Sequence, residues 1–359
     1  LVGSEMCIRD SDIVEYTINM PVLHILSDIT EHDIDILGFA CYIWNIEMTL
    51  HVVDMVKAVR PDIKIVLGGP EVSFTADELL ARCPNIDYIV QGEGEEAFHA
   101  LVTALKLGND GLDPVIPGVR GRRDGSILGS AEAVEVSDLS SIPFPYTEAD
   151  MDDLEHKIIY YESSRGCPFS CQYCLSGNKN TVRFFPQERT LKELQWFIDH
   201  GVKQVKFVDR TFNCAPHHHR PLMEFMRDSD TDMNFHLEME PELMTDWETN
   251  ILCETPPGRI QIEVGVQSTH KKTLDAINRY NDWPYIQKSI RPIIQAGRTH
   301  VHMDLIVGLP HEDFNRFGQS FNDLFSLQPH ALQIGFLKLL KGSGVRPVSY
   351  THLRAHETL

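Results

Sequence analysis

The sequence lacks three features that would place the protein at a membrane or on nucleic acid. No hydrophobic run approaches the roughly 20 residues of a transmembrane helix, and no secretory signal is visible. Basic residues are scarce, since 32 Lys and Arg stand against 52 Asp and Glu and give a net charge of −20. Such a surface repels phosphates, so we expect neither a membrane nor a nucleic acid as partner. The sequence predicts a cytoplasmic protein.

Nucleotide-binding motifs are also missing. The chain has no G-x-G-x-x-G fingerprint and no P-loop lysine. Its eight cysteines do not form the framework of a small disulfide-rich protein, and three of them are crowded within eight positions. In a chain of 359 residues this crowding favours metal binding in a reducing compartment.

Both ends of the chain differ from the rest. Residues 1–11 and 346–359 resemble translated sequencing-adapter read-through, and neither has a periodicity that fits its neighbour. We interpret both as artefacts and exclude them from the fold prediction. A pair of real but irregular termini is the alternative interpretation.

The first half of the remaining sequence, residues 12–106, is predicted to form a small α/β domain. Apolar runs at 34–43, 63–68 and 88–90 indicate strands, and the stretches at 48–59, 76–82 and 91–105 indicate helices. This order predicts a parallel sheet. Ligands bind such sheets at the carboxyl ends of the strands, here the segments 41–45, 68–70 and 92–94. Glycine after a strand is more commonly only a turn.

Residues 107–150 are predicted to be a linker with a hairpin near Asp124. Residues 151–343 then alternate again, with strands expected at 158–163, 204–209, 234–240, 259–266, 300–307 and 331–337. Six β-α units predict a partial parallel barrel, in which the chemistry lies at the carboxyl ends of the strands.

The most specific motif follows the first of these strands: Cys167, Cys171 and Cys174, in a C-x3-C-x2-C spacing. Thiolates are the usual ligands of an iron–sulfur cluster, and three of them leave one iron open. The alternatives are three incidental thiols, or a zinc site that takes its fourth ligand from His217, His218 or His219. A histidine-rich loop of this kind is more commonly solvated.

The cysteine motif, with Tyr173 before its last cysteine, resembles that of the radical S-adenosylmethionine (SAM) superfamily. The segments that end strands two, four and five, at 207–213, 263–268 and 305–310, extend the resemblance, as do the segments 41–45 and 67–71 in the first half. Together they resemble the subgroup with a cobalamin-binding domain, over residues 12 to 343. The resemblance implies an α/β fold, with a truncated Rossmann-like cobalamin-binding-type domain before a partial (β/α)6 barrel.

For the barrel, the resemblance implies a 4Fe–4S cluster held by the three cysteines. The cluster would cleave SAM reductively and generate a 5′-deoxyadenosyl radical. By analogy, Tyr173 would lie near the adenine, Asp209 near the amino group, Glu263 near the ribose hydroxyls and Arg279 near the methionine carboxylate. Gly308 would let the backbone approach the adenine. A reductase or a flavodoxin-type protein would supply the electron.

For the first domain, the resemblance implies cobalamin, lined by Gly68, Gly69, Pro70, Gly92, Glu93 and Gly94. The D-x-H-x-x-G motif, which supplies an axial histidine in other cobalamin proteins, is absent. From the resemblance as a whole we expect a cobalamin-dependent methyltransferase, whose substrate the sequence does not identify. The alternatives are a radical enzyme without functional cobalamin, a non-catalytic iron–sulfur carrier or sensor, and a corrinoid-handling module.

Overall fold

The computed structural model describes residues 12–154, 157–176 and 180–346. Apart from Arg346, the two end segments interpreted as artefacts lie outside these residues. The chain divides into two units. The first extends to Pro145 and also includes Leu340–Gly342, and the second runs from Tyr146 to Leu339 and resumes at Ser343. Within the described residues, no helix combines the length and the apolar character that a membrane span requires.

The first unit alternates strands and helices, as the sequence predicts. Its strands are β1 (Ile36–Ala40), β2 (Lys64–Gly68), β3 (Tyr88–Val90), β4 (Val119–Arg123) and β5 (Ser126–Gly129). Its helices are α1 (Val22–Glu31), α2 (Ile46–Val59), α3 (Pro70–Ser73), α4 (Ala76–Arg82) and α5 (Gly94–Lys106). The strand order is β1-β2-β3-β4-β5, and the first three strands are parallel.

Residues 107–150, expected to be a linker, contain the β4–β5 hairpin around Asp124. The hairpin does not stand apart, because β4 pairs antiparallel with β3 through the register Ile89 to Arg120. The paired strands bring their own buried side chains, such as Val119, into the core of the unit. Burial of apolar surface therefore explains why the hairpin extends the sheet.

The second unit is built on a parallel sheet with the order β13-β12-β11-β10-β9-β6. These strands are β6 (Ile159–Tyr161), β9 (Gln204–Phe207), β10 (Asn234–Glu238), β11 (Ile260–Gln267), β12 (His300–Val307) and β13 (Ala331–Phe336). A separate hairpin joins β7 (Ser164–Gly166) to β8 (Val182–Phe184). The helices are α6 (Met151–Leu154), α7 (Gln187–Asp199), α8 (Pro216–Asp228), α9 (Asp246–Glu254), α10 (Lys271–Ala276), α11 (Trp283–Ala296) and α12 (Phe314–Phe325). The six predicted strands are thus present in the described residues, and a helix follows each of the first five, while none follows β13 there.

Side chains alternate between two faces along β9, β10 and β11 of this sheet. One set of alternate positions is fully buried and apolar, for example Phe235 and Leu237 on β10 or Val264 on β11. The set between them is polar, and includes His236 and Glu263, which contact one another. A strand presents successive side chains to opposite faces, so the sheet has one apolar face and one polar face.

The histidine run, expected to be a solvated loop, is instead part of helix α8. His218 and His219 are buried, and only His217 is exposed. The Nε2 atom of His218 lies 3.0 Å from Ser163 Oγ, and that of His219 lies 3.0 Å from Glu248 Oε1. The Nε2 atom of each histidine thus has a partner inside the fold, while His219 Nδ1 is buried without a hydrogen-bond partner in the described residues.

Candidate active site

The three cysteines lie on the loop between β7 and β8. Gly166, just before Cys167, has a φ of +105°, and a Cβ there would lie 2.2 Å from the carbonyl oxygen of Thr181. Only glycine fits this position. Farther along, the backbone N–H of Gln172 donates to the Ile277 carbonyl at 2.9 Å, which anchors the loop to the segment after α10.

The three thiols share one cavity of about 260 Å³. Its other walls come from the carboxyl ends of β9, β10, β11 and β12 and from the segments that follow them. The lining residues are Cys167, Phe169, Cys171, Tyr173, Cys174, Arg210, Thr211, Glu238, Met239, Glu240, Glu263, Gly265, Gln267, Arg279 and Asp304. The cavity therefore lies where a parallel barrel places its chemistry.

Arg279 lies beside two residues of the cysteine loop. Its Nη1 atom is 3.7 Å from Cys171 Sγ and 3.4 Å from the Tyr173 hydroxyl. Its Nη2 atom donates to Glu240 Oε2 at 2.7 Å and to the Gly265 carbonyl. Burial raises the pKa of the Cys171 thiol, and the charge of Arg279 opposes that shift.

Glu263 lines the cavity and is held by two hydrogen-bond donors of the polar face. His236 Nε2 donates to its Oε2 atom at 3.0 Å, and Lys206 Nζ donates to the same atom at 3.2 Å. The hydrogen bond from His236, together with Lys206, holds the pKa of the Glu263 carboxyl well below its ordinary range. Glu263 is therefore an ionised acceptor.

Asp304 shows the opposite shift. Burial and the neighbouring Glu263 raise the pKa of its carboxyl to about 8. Two carboxylates close together do not both ionise readily, so one keeps its proton. Burial also raises the pKa of Glu238, which lines the same cavity.

Two of the residues assigned to SAM lie elsewhere. Asp209 is fully buried and is not part of the cavity wall. It accepts from the Ser163 amide at 2.9 Å, the Ser163 hydroxyl at 2.6 Å and the Ser164 hydroxyl at 2.5 Å. Gly308 follows β12 with a φ of +90°, and a Cβ there would make only an ordinary contact with Leu337, at 3.8 Å.

Several cavity residues escaped the sequence analysis, notably Glu238, Glu240 and Asp304. The signal that could have found them is the alternation of polar and apolar residues along β10 and β12. In a barrel whose outer face packs against helices, the polar set must face inward. The predicted barrel would have allowed this inference for Glu238 and Asp304, which alternate with apolar residues on β10 and β12.

The donor set fits a cluster with an open iron better than a closed zinc site. In the described residues, no three His, Cys, Asp or Glu side chains converge closely enough to hold one metal ion. Neither His218 nor His219 lines the cavity of the three thiols, so neither offers a fourth ligand there. Moreover, Glu240 Oε1 and Arg279 Nε are buried and lack hydrogen-bond partners in the described residues. A bound cofactor with its own donors and acceptors would satisfy them.

In the first unit, the glycines of the predicted cobalamin loops serve internal packing. A Cβ on Gly69 would lie 2.7 Å from the Cys41 carbonyl oxygen, and one on Gly92 would lie 2.3 Å from that of Val134. Gly68 and Gly94 have only ordinary contacts at their Cβ positions. The absence of a side chain at Gly69 and Gly92 thus lets the backbone pack closely against Cys41 and Val134. These contacts are with the chain itself, whereas the prediction was a close approach to a ligand.

The other residues of these loops are tied down as well. Pro70 begins α3, and Glu93 accepts from the Val136 amide at 2.7 Å. The Ser73 hydroxyl donates to the Gly69 carbonyl at 2.8 Å and accepts from the Gly92 amide at 3.1 Å. Tyr42 and Trp44 form an exposed stacked pair, 4.6 Å apart, in the segment after β1. These loops form an ordered edge at the carboxyl ends of β1, β2 and β3, where ligands bind parallel sheets.

The fold and the site define a class of enzyme. A three-thiol loop after the first strand of a six-stranded parallel barrel, preceded by a small α/β unit, is the arrangement of a radical SAM enzyme with an additional binding domain. The family model described as the B12 binding domain matches residues 6–102. The model described as the radical SAM superfamily matches residues 161–324.

The chain therefore belongs to the radical SAM superfamily, in the subgroup that carries a B12-binding domain. The fold class and the family predicted from the sequence are confirmed.

Two relatives support this subgroup. The chain is 28% identical to the cobalamin-dependent radical SAM methyltransferase TokK of Streptomyces tokunonensis over 334 residues, 86% of this chain and 47% of that protein. It is 28% identical to the 2-(S-pantetheinyl)-carbapenam-3-carboxylate methyltransferase of Streptantibioticus cattleyicolor over 320 residues, 83% of this chain and 46% of that protein. The chain thus spans about half the length of these relatives.

Solved structures share the fold. TsrM from Kitasatospora setae, a radical SAM methyltransferase solved with cobalamin and a [4Fe-4S] cluster, has a TM-score of 0.73 at 15% identity, covering 89% of this chain and 68% of that chain. OxsB, a cobalamin-dependent SAM radical enzyme solved with aqua-cobalamin and SAM, has a TM-score of 0.65 at 17% identity, covering 85% of this chain and 45% of that chain.

Proposed function

We propose that this protein is a cobalamin-dependent radical SAM methyltransferase that acts on an unactivated carbon of its substrate. The observation that carries the proposal is the single cavity lined by Cys167, Cys171 and Cys174 at the carboxyl ends of the barrel strands. The cluster, when bound, supplies the electron that cleaves SAM to methionine and a 5′-deoxyadenosyl radical. The electron itself would come from a reductase or a flavodoxin-type donor.

The chain's own residues would bind and orient SAM. Glu263, ionised and lining the cavity, can accept hydrogen bonds from the ribose hydroxyls. Tyr173 packs with Leu274, Ile277 and Leu309 in an apolar cluster next to Gly308. This cluster supports an adenine site formed by Tyr173 and the backbone at Gly308.

Asp209 has a different role in this proposal. All its hydrogen bonds go to Ser163 and Ser164, just before the cysteine loop, so it orients the loop and does not reach the SAM amino group. Glu240 Oε1, buried and without a partner in the described residues, is the carboxylate oxygen that remains available for that ammonium.

Methyl transfer is the reaction that the B12-binding domain favours, because methylcobalamin can deliver a methyl group to a carbon radical. The names of both relatives describe methyltransferases. One of them is named for 2-(S-pantetheinyl)-carbapenam-3-carboxylate, but at 28% identity that substrate is not transferred to this chain.

The test is anaerobic reconstitution with iron, sulfide and hydroxocobalamin, followed by reduction and addition of SAM. We expect 5′-deoxyadenosine, together with the S-adenosylhomocysteine that forms when SAM methylates the corrinoid. Cys174→Ala should abolish the 5′-deoxyadenosine. The matched control, Cys253→Ala on α9, removes a thiol outside the cavity and should retain it.

The alternatives predict different products. A cluster that forms but gives no 5′-deoxyadenosine, and whose spectrum SAM does not change, would favour a carrier or sensor. Corrinoid binding without SAM cleavage would favour a corrinoid-handling module. SAM cleavage by a protein that retains no corrinoid would favour a radical enzyme without cobalamin.

A further inference from the structure

Arg279 has little hydrogen-bonding capacity left for a ligand. Its two terminal nitrogens have four acceptors within the described residues, namely Cys171 Sγ, the Tyr173 hydroxyl, Glu240 Oε2 and the Gly265 carbonyl. Only the Nε atom lacks a partner there. A bidentate grip on a carboxylate needs two parallel N–H groups, so the guanidinium cannot fork onto the methionine carboxylate without giving up contacts it already has.

The position of the guanidinium is fixed from several sides. The side chains of Arg279 and Glu240 are only 10% and 9% exposed. Asn213 holds the backbone of Glu240 on both sides, donating to its carbonyl at 2.9 Å and accepting from its amide at 2.8 Å. The Arg279 amide donates to the Leu274 carbonyl at 2.9 Å. A buried cation is thus held next to the sulfur of Cys171.

A fixed cation at a ligand sulfur favours the reduced state of a cluster. One-electron reduction adds a negative charge to the cluster and its thiolates, and hydrogen bonds to the sulfurs and nearby charge set the reduction potential. The effect is larger in a buried site, where the effective dielectric constant is low. Tyr173 donates no net charge, so the cation that acts on Cys171 is Arg279.

We propose that Arg279 is a positioning residue that holds the Cys171 thiolate and raises the reduction potential of the cluster, and that Glu240 locks it in place. This inference rests on the proposed function, because it assumes that the three cysteines hold a cluster. It replaces the role toward the methionine carboxylate that the sequence suggested for Arg279.

The test compares Arg279→Gln, Arg279→Lys and the wild type as reconstituted full-length proteins without SAM. Iron and sulfide content and the EPR signal of the reduced cluster verify loading. A redox titration followed by EPR then gives the midpoint potential. We expect Arg279→Gln to raise the ratio of oxidised to reduced cluster about tenfold at a fixed potential, which corresponds to a shift of about 59 mV to more negative values. Arg279→Lys, which keeps the charge, should retain most of the wild-type potential.

Arg210→Gln is the matched control. Arg210 lines the same cavity, but within the described residues it makes no hydrogen bond to a cysteine. It should shift the potential less than Arg279→Gln. Equal shifts in the two variants would overturn the proposal, since the effect would then be the general field of the cavity.

SAM affinity, measured by equilibrium dialysis, decides between the two roles of Arg279. An unchanged potential with affinity lowered tenfold or more would overturn the proposal and restore the carboxylate role. If Arg279→Gln takes up no cluster, the lysine variant decides. A wild-type potential in Arg279→Lys supports the proposal, and a potential more negative by about 59 mV overturns it. None of these readouts requires turnover, so a failure of the proposed methyl transfer is distinguishable.

Discussion

Asp209 illustrates how a carboxylate at the end of a barrel strand can serve the fold. Three donors from Ser163 and Ser164 converge on it, and burial still raises the pKa of its carboxyl to about 6. A buried charge of this kind is tolerated because each oxygen is hydrogen bonded. Its partners are Ser163 and the first residue of β7, Ser164, which lead into the cysteine loop, so we expect the loss of Asp209 to disturb that loop.

We expect Asp209→Asn to lower the free energy of unfolding by about 2 kcal/mol at pH 7.5, because hydrogen bonds to a charged acceptor are lost and an amide donor faces other donors. Urea unfolding measures this change. Asp230→Asn, at an exposed position, is the control and should stay within about 0.5 kcal/mol of the wild type. Equal stability of the two variants would show that the Ser163–Ser164 contacts contribute nothing.

Asp304 makes the stability depend on pH. Its native pKa of about 8 lies above the ordinary value of 3.8, so the native state keeps a proton that the unfolded chain releases. Between about pH 4 and 8 the native state therefore binds more protons, and this contribution to stability falls as the pH rises.

Asp304→Asn should remove the contribution of Asp304 to the pH dependence of stability, since an amide stays neutral at every pH and can still donate to Glu263. When the pH rises from 5 to 8, we expect the free energy of unfolding of the variant to increase by roughly 2 kcal/mol relative to that of the wild type. Urea unfolding at both values tests this. The exposed control Asp232→Asn should show no gain, and a parallel pH profile for Asp304→Asn would disprove the shifted ionisation.

At the scale of the element, the β7–β8 hairpin positions the first cysteine. The register pairs Gly166 with Val182, and Gly166 leads directly into Cys167. Its left-handed φ and its close contact with Thr181 leave no room for a side chain. The hairpin therefore depends on glycine at this single position.

Gly166→Ala should lower the iron content after anaerobic reconstitution by at least half and destabilise the protein by about 2 kcal/mol, because the added methyl group forces the strands apart. Iron analysis and thermal unfolding measure the two effects. Gly318→Ala is the control, since Gly318 lies in α12 with no atom within 4 Å of a Cβ. This control should keep the full iron content, and its free energy of unfolding should increase by up to about 1 kcal/mol. Full iron loading of Gly166→Ala would contradict the assigned role.

At the scale of the whole molecule, the two cofactors are assigned to different units. The B12-binding model matches only residues of the first unit, and the three cysteines lie in the second. A local defect in one unit should therefore change the content of one cofactor and spare the other.

We expect Gly69→Ala to reduce the retained corrinoid at least fivefold, because its Cβ would overlap the Cys41 carbonyl and displace the loop, while iron stays at the wild-type level. Absorbance and iron analysis of the same sample give both numbers. Gly108→Ala is the matched control, with a similar left-handed φ of +76° but no atom within 4 Å. If Gly69→Ala retains the corrinoid, the loop at 68–70 does not line the cofactor.

The sequence by itself determined the order of the elements and predicted the ligands of the cluster. Both are local: apolar periodicity predicts strands and helices such as β12 and α12, and three cysteines in eight positions must share one loop.

Only the tertiary structure decided which polar side chains meet. Asp209 and Glu240 both follow barrel strands in the sequence, yet one is buried against Ser163 and the other lines the cavity beside Arg279. The histidines of α8 look solvated until the partners Ser163 and Glu248, 55 and 29 residues away, are known. The physical reason is that hydrogen bonds, burial and pKa shifts depend on neighbours in space, which a periodic pattern does not identify.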